Sequence, residues 1–151
     1  MTEVRFYHLR HKKLEDALPT ILEKALERGM RIIVMSGDEK QLKNLNSHLW
    51  TYQDHSFLPH GMANDGSVSL QPIYLTCEDE NPNKADLLIS VYSATSEKMA
   101  DYELCCEVFD GLDQDEVQAA RQKWKRYKEA GYKLIYYQQS AEGRWEQKAT
   151  A

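Results

Sequence analysis

Apolar residues fall along this chain in two rhythms: short unbroken blocks, and stripes that recur at three- and four-residue steps. Val4 to Leu9 is an apolar and aromatic run, the pattern of a first strand. Leu14, Leu18, Ile21, Leu22, Ala25 and Leu26 then repeat at helical spacing and stop at Gly29, which predicts a helix from about Leu14 to Arg28. Pro19 suits that helix only if it begins near Asp16, because a proline in the first turn forfeits no hydrogen bond. Arg31 to Met35 reads as a buried strand and Ser36-Gly37-Asp38-Glu39 as the turn after it. Leu42, Leu45 and Leu49 then form the inward stripe of a second helix ending near Trp50.

A turn-rich stretch holding Phe57-Leu58-Pro59-His60-Gly61 leads to strands predicted at Ile73 to Thr76 and Leu87 to Val91, separated by the polar turn Asp79-Glu80-Asn81-Pro82-Asn83. A short helix around Glu97 to Tyr102 and a strand at Cys105 to Phe109 follow. Asp113 or Asp115 can cap a last long helix running to Ala130, with Gly131 as its stop signal, and Tyr132 to Gln138 is the last predicted strand. Strands alternating with helices predict an α/β sandwich around a mostly parallel sheet. The pattern divides into a single domain over 1–139 and a polar tail over 140–151 that is free to be flexible.

The 151 residues suffice for one core, and a chain of that length buries roughly two thirds of the surface its unfolded form exposes. The cysteines are three, Cys77, Cys105 and Cys106, and the last two are adjacent. A disulfide framework is therefore not expected and a reducing cytoplasm fits. Charge follows Met1 at once, and no apolar stretch reaches the length of a membrane span, so a chain neither exported nor embedded is predicted.

Catalytic motifs are missing where the fold class invites them. The glycines form neither G-x-G-x-x-G nor a P-loop, and the first strand runs into its helix through bulky Leu9-Arg10-His11-Lys12, which would block close approach of phosphates. His8, His11, His48, His55 and His60 are too scattered for a metal-ligand pattern, and no G-x-S-x-G marks a nucleophile. Turn solvation and helix capping account for the carboxylate runs Glu78-Asp79-Glu80 and Asp113-Gln114-Asp115-Glu116. No catalytic residue, cofactor or metal is assigned, and the chain is read as a non-enzyme.

Charge changes the picture in one place. Arg121, Lys123, Lys125, Arg126, Lys128 and Lys133 stand against Glu129 alone, a local net of +5 in a chain of net charge -5. On a helical wheel Val117, Ala120, Trp124 and Tyr127 share one stripe, and Arg121, Lys125 and Lys128 run along its border. An indole at that seam could wall a shallow apolar pocket rimmed by cations, suited to an acidic peptide with a hydrophobic end. Basic side chains flanking an apolar stripe are more often just a solvated helix face that complements the helix dipole, so the pattern alone favours that plainer reading.

The segment Ala120-Arg121-Gln122-Lys123-Trp124-Lys125-Arg126-Tyr127-Lys128-Glu129-Ala130-Gly131-Tyr132 resembles the C-terminal signature of the chi subunit family of bacterial DNA polymerase III holoenzyme. Phe6-Tyr7-His8-Leu9, Asp38-Glu39-Lys40-Gln41 with Leu49-Trp50, Ser56-Phe57-Leu58-Pro59-His60 and Asp86-Leu87-Leu88-Ile89-Ser90 agree in order, so the likeness spans roughly residues 4 to 134. The resemblance implies a Rossmann-like three-layer sandwich without a nucleotide-binding loop. It also implies an adaptor that binds the acidic C-terminal tail of single-stranded DNA-binding protein and ties it to the clamp-loader complex, in some bacteria through a small psi subunit. Carried onto this chain, Arg121 would meet a tail carboxylate, Trp124 would help enclose the tail's phenylalanine, and Lys125 and Lys128 would attract its acidic run.

Trp50, Phe57, Leu58 and Pro59 are the candidates for the psi or clamp-loader side, with ordinary core as the competing reading. Gln122 and Lys123 depart from the acidic and arginine residues the family pattern calls for, and Val117 stands where a lysine can help hold the tail. Nucleic acid is then a partner only indirectly. The alternative is a module that binds single-stranded nucleic acid directly through the same helix, against which the net charge of -5 argues.

Overall fold

Ile32–Ser36 and Leu87–Val91 are buried along their whole length, as strands covered on both faces of a parallel sheet must be. In the computed structural model, which describes residues 2–51, 60–62 and 68–151, they lie near the middle of an eight-stranded sheet. Its strands are β1 (Glu3–Leu9), β2 (Ile32–Ser36), β3 (His60–Gly61), β4 (Ile73–Thr76), β5 (Leu87–Val91), β6 (Leu104–Asp110), β7 (Lys133–Gln139) and β8 (Trp145–Thr150). They run in the order β3-β4-β2-β5-β6-β1-β7-β8, parallel throughout except for the antiparallel pair β7–β8.

Among the described residues three α-helices complete the sandwich: α1 (Leu14–Glu27), α2 (Glu39–Thr51) and α3 (Gln114–Glu129). Leu14, Leu18 and Leu22 of α1 and Leu42, Leu45 and Leu49 of α2 pack on one face over Ile32, Val34, Leu75, Ile89 and Val108. The opposite face, built from Val4, Phe6, Ile33, Leu88, Cys105, Phe109 and Leu134, is covered by Ala120 and Tyr127 of α3 and by Met99 and Tyr102. The period-two alternation of the strands thus feeds two apolar layers, giving a Rossmann-like three-layer sandwich.

Four details differ from the sequence expectation. Helix α1 begins at Leu14, as its stripe predicts, so the later start near Asp16 that would have suited Pro19 is not taken: Pro19 lies inside the helix and the Glu15 carbonyl loses the N–H that would normally reach it. The predicted helix at Glu97 to Tyr102 is a single 3-10 turn, Met99–Asp101. The two-residue strand β3 has too little pattern to be foreseen. Residues 145–150, read as part of a polar tail, form β8 and extend the sheet beyond β7.

The connection from β1 to α1 is where a nucleotide-binding sheet offers its backbone N–H groups to phosphate. In this chain the N–H groups of Arg10, His11 and Lys12 converge on the side-chain oxygen of Gln139 at 3.3, 3.1 and 3.2 Å. Gln139 is buried at the end of β7, so an internal acceptor occupies the place of an anion. No helix among the described residues is long and apolar enough to cross a membrane, and among them no group of three or more His, Cys, Asp or Glu residues could hold a metal ion.

Candidate functional site, a cationic cleft along the last helix

Local chemistry fixes both ends of α3. The Asp113 carboxylate accepts from the N–H groups of Asp115 and Glu116 at 3.0 and 3.2 Å, an N-cap worth about 1 kcal/mol. At the other end the Tyr132 N–H donates to the Tyr127 carbonyl and the Gly131 N–H to that of Lys128, a Schellman closure that places Gly131 at φ 90°, where a side chain would be strained. Acidic residues in the first turn and Arg126 and Lys128 in the last complement the helix dipole.

The face of α3 turned to the sheet holds the predicted stripe. Ala120 and Tyr127 are buried, and Val117 and Trp124 pack half-buried against the same layer. The Trp124 ring meets Phe6 edge-on at 5.3 Å and Tyr136 edge-on at 5.9 Å, which leaves its outer part free to wall a cavity. One residue of the basic segment leaves the surface altogether. Lys123 is only 4% exposed, and its ammonium donates to Glu107 Oε1 of β6 at 2.6 Å and to the Ala94 carbonyl. Its charge is therefore spent inside, and the helix surface carries Arg121, Lys125, Arg126 and Lys128.

Between α3 and the β7–β8 edge lies an open cleft of about 700 Å³. Phe109, His8 and Tyr136, from β6, β1 and β7, contribute to it; Val117, Arg121, Trp124 and Lys125 line its helical side; Lys148 and Ala149 line it from β8. His8 Nδ1 and the Tyr136 hydroxyl are hydrogen-bonded to each other. Burial, with Arg10 and Arg121 nearby, holds the His8 imidazole below its usual range, and burial pushes the Tyr136 phenol up. Gly111 closes over the same histidine: a Cβ there would sit 2.1 Å from His8 Nε2 and 2.4 Å from the Leu9 carbonyl oxygen. Among the described residues neither Arg121 nor Lys125 is in a salt bridge, so both charges are available to a ligand.

Three of the four residues singled out on this helix, Arg121, Trp124 and Lys125, come together at the cleft, while Lys128 is exposed outside its lining. Trp50 falls in the last turn of α2, and Phe57, Leu58 and Pro59 lie outside the described residues. Sequence reasoning missed His8, Phe109, Tyr136, Lys148 and Ala149, which come from four strands; only the ladder that joins those strands brings them together.

A family model described as DNA polymerase III chi subunit, HolC, matches residues 1–135. The chain is 33% identical over 91 residues to a probable DNA polymerase III subunit chi of Rickettsia prowazekii, a match covering 60% of this chain and 55% of that protein. It is 28% identical over 138 residues to DNA polymerase III subunit chi of Pseudomonas aeruginosa, covering 89% of this chain and 94% of the relative. The Escherichia coli subunit of the same name is 28% identical over 144 residues, with 89% and 96% covered.

Proposed function

We propose, from the premise that the chain belongs to the DNA polymerase III chi subunit family, that it is a non-catalytic adaptor whose α3 cleft holds the acidic C-terminal tail of single-stranded DNA-binding protein. The observation that carries this reading is the open apolar cleft beside a half-buried indole, bordered by the unpaired cations Arg121 and Lys125. An aromatic side chain at the end of the tail enters beside Trp124, Phe109 and Tyr136; a carboxylate takes the Arg121 guanidinium; Lys125, with Lys128 further along, attracts the acidic residues that precede it.

An adaptor needs a second surface that can be occupied at the same time. Helix α2 packs over β2 and β4, and α3 over β6 and β7 on the other face, so partners on the two helices would not compete. The end of α2 at Trp50 and the segment holding Phe57, Leu58 and Pro59 are assigned to the psi subunit or the clamp-loader complex. Joining two contacts of roughly micromolar strength gains affinity through effective concentration, which is how a bridge between polymerase and coated single strands would work.

The test is an anisotropy titration of a synthetic peptide with several acidic residues and a C-terminal phenylalanine. Arg121→Ala should weaken it ten- to a hundredfold, the range about 1.5–3 kcal/mol for a hydrogen bond to a charged group implies. Rising salt should weaken wild-type binding as well. Equal affinity for wild type and variant refutes the reading. Tight binding of a bare single-stranded oligonucleotide that Arg121→Ala abolishes, without any peptide binding, would favour direct nucleic-acid recognition instead.

A further inference from the structure

Strand β8 lies beyond residues 1–135, the stretch that matches the family model, yet it supplies one side of the cleft. Its pairing with β7 contains a register shift: Tyr136 faces Ala149 and Tyr137 faces Gln147, which leaves Lys148 as the extra residue of a bulge. In a regular ladder Lys148 would itself oppose Tyr136 and Ala149 would point to the other face. The bulge moves Ala149 into that place and turns two consecutive side chains to the cleft, where both line it. Ala149 adds a small apolar wall opposite Tyr136, and Lys148 adds a cation that does not come from α3.

We infer that β8 is a second wall of the peptide cleft and that Lys148 is a specificity-determining residue, reading an acidic side chain of the bound tail from the side opposite Arg121 and Lys125. The inference rests on the tail-binding reading given above and adds to it a contact from outside the matched stretch. Charge complementarity names the occupant: cations on both walls of an apolar cleft suit a peptide whose carboxylates alternate in direction along an extended backbone. The nearest competitor is internal. Glu146 Oε1 lies 3.8 Å from the Lys148 ammonium, but both side chains are about half exposed, and such a pair yields readily to a better partner.

Three variants of the full chain test this with the same acidic peptide and with a control peptide whose internal acidic residues are replaced by glutamine. Lys148→Ala should weaken the acidic peptide about threefold and Lys148→Glu about tenfold, the scale of one and two exposed charge contacts. Glu146→Gln should tighten it about twofold by releasing Lys148. The control peptide should bind all three variants alike, and the melting temperature should stay unchanged because both residues sit on an exposed edge strand. If Arg121→Ala loses the peptide while both Lys148 variants bind it like wild type, the inference is overturned and the tail-binding reading stands. Parallel weakening of the control peptide overturns it as well, because the effect would then not be a charge contact. A wild-type chain that binds no acidic peptide overturns both.

Discussion

Replacing Lys123 with methionine keeps an unbranched side chain of similar volume, one atom shorter, and removes its charge, which isolates the ion pair that ties α3 to β6. The pair is enclosed: the side chains of Lys123 and Glu107 are 5% and 8% exposed, and the ammonium also serves the Ala94 carbonyl. Burial pushes the Glu107 carboxyl up from its ordinary 4.5 to about 7, with the attraction of Lys123 as the opposing influence. A carboxyl whose folded value is raised holds a proton in the native state that the unfolded chain has already released. Stability therefore falls as pH rises from about 4.5 through about 7. Taking Lys123 away removes the opposing attraction and carries that decline to higher pH.

At pH 8 Lys123→Met leaves a buried carboxylate without its partner, for which about 3–5 kcal/mol is the usual loss. At pH 5 the carboxyl is protonated and the loss should shrink to about 1–3 kcal/mol, the scale of an orphaned carbonyl and a broken hydrogen bond. The double variant Lys123→Met with Glu107→Leu removes both charges and should recover most of the pH 8 loss, since an apolar pair of similar volume is often neutral or better. Urea unfolding followed by tryptophan fluorescence at both pH values measures all three. The reasoning fails if the single variant is as stable as wild type at pH 8, if its loss is larger at pH 5, or if the double variant is no better than the single one.

Gln139→Ala deprives the N–H groups of Arg10, His11 and Lys12 of their shared acceptor and should lower stability by about 1–3 kcal/mol in the same urea assay; no change would mean the loop does not depend on it. Gly111→Ala drives a methyl group into the His8 ring and the Leu9 carbonyl. It should cost about 1–3 kcal/mol and shift the NMR signals of the His8 imidazole, since the backbone neighbour cannot move aside as a flexible side chain would. Burial pushes the thiols of Cys105 and Cys106 far up, and Cys77 is raised as well but is the one that is partly exposed, so a thiol reagent at pH 8 should label Cys77 first. The other two cysteines should label only after unfolding, as mass spectrometry of the labelled chain would show.

The helical wheel of α3 was readable because its stripe is apolar: Val117, Ala120, Trp124 and Tyr127 face the sheet as their spacing predicts. The same wheel places Lys123 three residues after Ala120 and four before Tyr127, a position inside the stripe. Glu107 stands in a strand between Cys105 and Phe109, both inward. A lysine on an inward helical position and a glutamate on an inward strand position together are the signal of a buried pair, visible in the sequence once the two are considered jointly. Nothing comparable announces β8. Glu146, Gln147 and Lys148 are polar on both faces, and only hydrogen bonding to β7 makes them a strand. The role of Gln139 is equally illegible, since its partners lie nearly the whole chain away.

The first strand of this sheet stands between two that come late in its sequence. β1 is flanked by β6 and β7, so during synthesis its hydrogen-bonding edges stay bare until residues 104–110 and 133–139 have left the ribosome. Pairing at such sequence distances also makes folding slow, because a long stretch of backbone must be closed before those contacts form. A truncated or stalled product would expose the apolar run Val4 to Leu9 with neither neighbour to cover it. The floor beneath Trp124 forms only when β6 and β7 pair with β1, so a chain that has not yet reached α3 and β7 lacks the walls of the cleft that could capture a partner too early.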